Sequence, residues 1–192
     1  MWNKQYIKLG FNAQRKYPNE NLITFIKRNN IKEDVLEIGC GSGANIWFLA
    51  KECKNVYGFD YAPEGLELCK RMLKKWDVEA TVELGDMTKP FKYKDSSFNA
   101  IVDVVSLQHI EEKEQCLKEV YRCLRKGGKF FSYHIFAGNI KELFSEYTFY
   151  LPNEIPKYLK EIGFKNINLE KNIRTYNNTK QEIEYLIITA TK

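Results

Sequence analysis

Apolar residues along this chain recur with two different spacings. Short apolar runs predict strands at residues 35–38, 55–60, 80–84, 100–105 and 129–135, with two more beginning at Phe164 and at Glu182. Between them, apolar positions repeat at helical spacing. Leu22, Ile23 and Ile26 follow a helix start at Pro18-Asn19, and Asn29-Asn30 ends that helix. Ile46, Leu49, Ala50 and Cys53 share one helical face, and Leu66, Cys69, Leu73 and Trp76 share another after Pro63. Cys116, Leu117, Val120, Cys123 and Leu124 give an amphipathic helix over residues 111–124, which Arg125-Lys126-Gly127-Gly128 is expected to close. A last helix spans 154–162, capped by Gly163. The two late strands have no helix between them and are expected to pair as neighbours.

The stretch from Asp34 to Phe48 organises the rest. Val35, Leu36 and Ile38 suit a strand buried on both faces, and Gly39, Gly41 and Gly43 then alternate through a tight turn into a helix. Strand, glycine turn and helix open a nucleotide-binding α/β unit, in which a Cβ would keep a ligand from the backbone amides and the helix start offers unpaired N–H donors. The spacing here is G-x-G-x-G, not the G-x-G-x-x-G of dinucleotide sites, and Glu37 stands two residues before the first glycine. A carboxylate beside the turn would repel a pyrophosphate and attract a cationic amino acid or a sulfonium.

Composition narrows the class. A chain of 192 residues with 44% hydrophobic and 14% aromatic content suits one globular domain with a sizeable core. It has no apolar run of the roughly 18 residues a membrane span needs. The first residues lack the apolar core of a signal peptide. Five cysteines (Cys40, Cys53, Cys69, Cys116, Cys123) form no C-x-x-C pair, which favours buried free thiols in a reducing cytosol over disulfides or a metal site. The expected location is therefore cytoplasmic. A net charge of +5 permits an anionic substrate without indicating nucleic acid. Lys70, Arg71, Lys74 and Lys75 read as the solvated face of a helix rather than an RNA patch.

The string V-L-E-I-G-C-G-S-G, residues 35–43, resembles motif I of the class I S-adenosylmethionine-dependent methyltransferases. The resemblance runs from residue 31 to 192. It includes the acid ending the second strand, the acid after the third, a leucine, basic residue and two glycines before the fifth, and a strand at the end of the chain. It implies an α/β, Rossmann-like three-layer sandwich. The seven-stranded, mostly parallel sheet would run in the order 3-2-1-4-5-7-6, with the last strand antiparallel. One domain is expected over 1–192: an N-terminal arm and helix (1–30), a cofactor-binding core (31–135), and a substrate-side segment with the C-terminal strands (136–192). The implied cofactor is S-adenosylmethionine, with S-adenosylhomocysteine as product.

For the cofactor, the resemblance implies Glu37, Gly39, Cys40, Gly41 and Gly43 at the turn, and Asp60 on the ribose hydroxyls. Tyr61 would lie along the adenine, Asp86 on its amino group, and the Met87 backbone N–H on a ring nitrogen. Val104 and His109 would flank the donor. Each acid has a plainer reading, Asp60 as a helix cap and Asp86 as a turn stabiliser. Residues 1–17 read either as a packed arm or as a lid, and Trp2 and Tyr6, with Tyr133 and Tyr147, are candidates for the acceptor side. Tyr147, Phe149 and Tyr150 would suit an amphiphilic or cationic acceptor.

Chemistry is read at V-V-S-L-Q-H-I, residues 104–110. The N-P-P-Y or D-P-P-Y motif of adenine N6 enzymes, the proline-cysteine context of cytosine C5 enzymes and the Asp-Asn pair of metal-dependent catechol-type enzymes are all missing there. Gln108-His109-Ile110 instead looks like the small-molecule branch, so no metal is expected. The expected reaction is in-line methyl transfer to an N or O atom of a small-molecule acceptor. Both histidines, His109 and His134, fall at C-terminal strand ends and are the candidates for a base. The competing readings are an RNA or protein methyltransferase and a protein that binds the cofactor without turning it over. Oligomeric state is left open.

Overall fold

A computed structural model describes residues 2–135, 154–175 and 182–192. The helix read at Pro18-Asn19 is α2, Glu20–Arg28. It begins where it does because the Asn19 side chain accepts hydrogen bonds from the N–H groups of Asn21 (2.9 Å) and Leu22 (3.1 Å). Glu20 in its first turn and Lys27 and Arg28 in its last complement the helix dipole. Strand β1, Asp34–Ile38, follows, and four of its five residues are buried, as a strand covered on both faces requires.

From β1 the chain winds through α3 (Ile46–Glu52), β2 (Asn55–Asp60), α4 (Pro63–Trp76), β3 (Thr81–Leu84), β4 (Phe98–Val104), α5 (Lys113–Cys123) and β5 (Leu124–Ile135). Helix α6 (Glu154–Ile162) and strands β6 (Lys165–Thr175) and β7 (Glu182–Thr191) complete the described chain. The sheet order is β3-β2-β1-β4-β5-β7-β6, as expected. The first five strands pair in parallel, and β7 pairs antiparallel with both β5 and β6. Three layers result. Leu22 and Ile26 of α2, Leu49 of α3 and Leu73 of α4 pack with Val35, Val56, Val102 and Phe131 on one face of the sheet. Leu117 and Val120 of α5 and Leu159 of α6 pack with Leu36, Ile101 and Phe130 on the other. All five cysteines are buried free thiols. Among the described residues no helix is long and apolar enough to cross a membrane.

Two local expectations change. Residues 125–128 do not cap α5, because the chain passes straight from Cys123 into an extended Leu124 that pairs with Phe98. The glycines absorb a register shift and meet the end of the chain instead: the Gly127 N–H donates to the Lys192 carbonyl and the Lys192 N–H to that of Gly128. The N-terminal arm, which showed no period, forms helix α1 (Trp2–Leu9) and a 3-10 turn (Gly10–Ala13). Tyr6, 2% exposed, is its buried anchor, with Ala62 and Leu68 of the α4 region as neighbours.

Candidate functional site

The turn after β1 is shaped by close approach on both sides. Gly39 has φ +67°, and a Cβ there would stand 2.3 Å from the Cβ of Ser106 in the loop after β4. At Gly41, φ +51°, it would stand 2.4 Å from both the Gln14 amide and the Tyr6 hydroxyl. The second glycine is therefore reserved for the N-terminal arm. Gln14 fastens that contact, its Oε1 accepting from the Ser42 N–H and hydroxyl, each at 3.0 Å. Gly43 serves helix packing, facing the Cys69 sulfur of α4 at 2.6 Å from a would-be Cβ.

Two acids flank the turn, and burial acts on both. Glu37 is 1% exposed. Its Oε1 accepts a 2.6 Å hydrogen bond from Asn45, whereas Oε2 has no hydrogen-bond partner among the described residues. Burial, opposed by the Asn45 bond and by nearby Arg15, pushes its pKa up to about 8. Asp60, at the tip of β2, has its oxygens shared between the Gly41 N–H (2.8 Å) and the Ala62 N–H (2.9 Å). Burial raises its pKa, and these backbone bonds counter the rise. The cap-like reading of Asp60 thus describes its bonds, yet the carboxylate also faces the cavity.

That cavity, about 680 Å³, opens at the C-terminal ends of β1, β2 and β4, where α/β sheets bind ligands. Glu37, Gly39, Cys40, Asp60 and Tyr61 line one side of it. Asp86, Met87, Val104 and His109 line the other, and Trp2 and Tyr6 of the arm close over it. Tyr61 is anchored to the arm, its hydroxyl accepting from the Trp2 N–H at 3.0 Å. Asp86 is exposed and holds its own turn through the Thr88 N–H (2.9 Å) and hydroxyl (2.8 Å). Gly41 and Gly43 are not part of the lining.

The histidines separate. His109 sits on a 3-10 turn (Leu107–His109), its ring edge-on to Trp2 at 5.4 Å between centroids and donating to the Val105 carbonyl. Burial, with Lys113 adding to it, brings its pKa down to about 4, so the ring is neutral at physiological pH. His134 does not line the cavity. It is 6% exposed and bonded through Nδ1 to the Ser132 hydroxyl at 3.1 Å, which in turn donates to Asp103 at 2.7 Å. Tyr133 lies one residue away on the opposite face of β5, stacked on Tyr185 at 4.8 Å. Tyr185, not Tyr133, reaches the cavity wall. Tyr147, Phe149 and Tyr150 lie outside the described residues.

Sequence reasoning missed Gln14, Arg15, Asn45 and Tyr185. Asn45, just before α3, carried a weak signal as a polar residue at a helix start. The arm residues carried none, because their role depends on a fold-back that no local pattern encodes.

The donor set fits a ligand with a positive charge and a nucleoside. A buried carboxylate with an unmatched oxygen calls for a cation or a hydrogen-bond donor. Asp60 and Asp86, at neighbouring strand tips, offer acceptors for a sugar and a base.

Residues 36–132, about half of the chain, match the methyltransferase domain family. A demethylmenaquinone methyltransferase of Lactobacillus johnsonii is 30% identical over 112 residues, covering 55% of this chain and 46% of that one. A tRNA N(3)-methylcytidine methyltransferase of Schizosaccharomyces pombe is 25% identical over 122 residues, covering 56% and 38%. The chain thus spans about half or less of the length of these relatives. Among solved structures, the Haemonchus contortus phosphoethanolamine N-methyltransferase 2, in complex with phosphomonomethylethanolamine and S-adenosylhomocysteine, shares the fold with a TM-score of 0.79 at 20% identity. That match covers 99% of this chain and 57% of the other.

Proposed function

The chain belongs to the methyltransferase domain family, and from that premise we propose that it transfers a methyl group from S-adenosylmethionine to an N or O atom of a small-molecule acceptor. The observation that carries this reading is the buried Glu37 carboxyl facing the cavity with one oxygen unmatched. When bound, the cofactor supplies an activated methyl on a sulfonium centre. Glu37 would take its ammonium and Arg15, also at the cavity, its carboxylate, so that the amino-acid zwitterion meets one charge of each sign. Asp60 would hold the ribose hydroxyls, and Asp86 and the Met87 backbone the adenine.

In-line displacement asks the protein mainly for alignment and exclusion of water. The arm supports both, since Trp2, Tyr6, Gln14 and Arg15 roof the cavity. Expected as either arm or lid, residues 2–15 are best read as a lid. His109, neutral and lining the cavity beside Ile110, would be the group to take a proton from a protonated acceptor, and its pKa near 4 makes it a weak base that passes the proton on rather than holding it. His134 lies too deep for that role.

A roofed cavity supports a small acceptor, while the match to a tRNA enzyme makes RNA the competing class. Calorimetry with S-adenosylhomocysteine, followed by methyl-transfer screens on a metabolite pool and on total tRNA, tests the reading. Binding with methylated metabolites supports it. Labelled tRNA alone selects the competing class, cofactor binding without product in either pool supports a non-catalytic binder, and no binding refutes the reading.

A further inference from the structure

Lys113 is the only lysine or arginine buried among the described residues, at 1% exposed. It stands in the first turn of α5, where the helix dipole disfavours a cation, and burial adds a desolvation cost. Its ammonium donates to the carbonyl of Ile110, the residue following His109.

Two other buried side chains grip the same turn. Asp103 Oδ1 accepts from the Ser106 N–H (3.1 Å), the Leu107 N–H (2.9 Å) and the Ser106 hydroxyl. Gln108 Oε1 accepts from the Ile135 N–H at 2.9 Å, tying the turn to the end of β5. The segment from Ser106 to Ile110 is therefore fixed from β4, β5 and α5 at once, with His109 as the ring it presents to the cavity.

We propose that Lys113 is a positioning residue for His109, holding the turn from beneath so that the imidazole stays against Trp2 and the cavity. This rests on the methyl-transfer function proposed for the cavity, in which His109 faces the reacting centre. The charges around Lys113 suit the role: Glu154 faces it from α6, Asp103 from β4, and Glu111 and Cys116 from the α5 region. Burial brings its own pKa down to about 8, with these acids opposing, so it is mainly charged at pH 7. That charge also disfavours protonation of both His109 and His134. Lys113 thus holds the turn that carries the His109 ring and adds to the burial that keeps the ring neutral.

The chain has only two histidines, so ring NMR reads each one separately, with His134→Asn assigning the pair. In the full-length wild type the His109 ring should titrate near 4 and show a single tautomer at pH 7. In Lys113→Met its midpoint should rise measurably toward the ordinary 6.5 without reaching it, since burial remains, and a second set of ring signals should appear as the turn loosens. Lys113→Arg, which keeps the charge and a donor, should stay near wild type. An unchanged midpoint and tautomer in folded Lys113→Met would overturn the proposal. So would a wild-type His109 that titrates at 6.5, a result that needs no variant to fold. Calorimetry of the wild type with S-adenosylhomocysteine separates the two ideas, since absent binding would sink the methyltransferase reading without moving the ring titration.

Discussion

Replacing Glu37 with Gln should move ligand-free stability and ligand affinity in opposite directions. The carboxyl is fully buried, and its pKa in the folded protein, about 8, lies above the ordinary 4.5. The folded state therefore holds a proton that the unfolded chain releases between those values. Where the native state binds more protons, stability falls as pH rises. Each tenfold difference in proton affinity between the two states is worth about 1.4 kcal/mol. On that scale Glu37 costs the ligand-free protein about 3 kcal/mol at pH 7 and about 5 kcal/mol above pH 8. Glu37→Gln keeps an oxygen for the Asn45 hydrogen bond and never ionises. It should raise the melting temperature at pH 7 by about 6–12 °C for a chain of this size, and by less as pH falls toward 4.5.

Binding runs the other way. An ammonium beside Glu37 favours the ionised form, so S-adenosylhomocysteine should displace the proton. At pH 7 about nine-tenths of the ligand-free protein is protonated at Glu37, giving release of about 0.9 proton per ligand bound. Calorimetry in buffers of different ionisation enthalpy reads that number directly. The Kd should fall about tenfold per pH unit from 6 toward 8, then level off. Glu37→Gln should bind roughly 10–100-fold more weakly, the worth of a hydrogen bond to a charged group, and should show no linked proton release from this site. A Kd that ignores pH in the wild type, or a variant less stable than wild type at pH 8.5 with unchanged affinity, would refute the charge argument.

Three further expectations concern the same cavity. Asp60→Ala should weaken S-adenosylhomocysteine binding at least tenfold by calorimetry, since about 1.5–3 kcal/mol rides on a charged hydrogen-bonding group; unchanged affinity would remove Asp60 from the ribose site. Gly41→Ala should cost about 1–2 kcal/mol in backbone strain and displace Gln14 and Tyr6, speeding tryptic cleavage at Arg15 and Lys16 severalfold. Cleavage at the wild-type rate would show that the arm is not held there. Arg15→Met should weaken S-adenosylhomocysteine about tenfold while leaving decarboxylated S-adenosylmethionine, which lacks the carboxylate, nearly unaffected; equal losses for both would discard the zwitterion clamp.

The strands and helices were legible because each strand-helix unit repeats the same pattern of apolar run and helical face, whereas their order in the sheet was implied only by the resemblance carried by residues 35–43. Strand parity, by contrast, held a clue that sequence reasoning did not use. Tyr133 and His134 are adjacent on β5, and a strand sends neighbours to opposite faces. They could not both face one cavity, and Ile135, of the same parity as Tyr133, is the residue that lines it. The glycines at 127 and 128 looked like a helix cap because basic residues and glycine often follow a helix. Only the pairing of Leu124 with Phe98, a long-range fact, shows them inside a strand irregularity. The arm was illegible for a related reason. Tyr6 and Gln14 bind the glycine turn some 30 residues away, and neither residue type nor spacing announces such a contact.

The charge layout ties these features together. Glu37 and Asp60 sit buried on the glycine-turn side, while Lys113, the one buried lysine among the described residues, lies behind the His109 turn. Burial of Glu37 is offset first by the hydrogen bond from buried Asn45 and then by Arg15 on the arm, the nearby cation, and the two together lower its pKa only in part. On the proposed reading the site is most stable when a cationic ligand completes it beneath the arm. Binding energy spent ionising Glu37 would not be available for affinity, so on this reading affinity at low pH is traded for a preference for ligands that carry an ammonium. On this logic adenosine should bind far more weakly than S-adenosylhomocysteine, and raising the pH from 6 to 8 should widen the gap, because only the ligand with an ammonium benefits from the ionised carboxylate. A pH-independent ratio of the two affinities would mean that the Glu37 carboxyl plays no part in selecting the ligand.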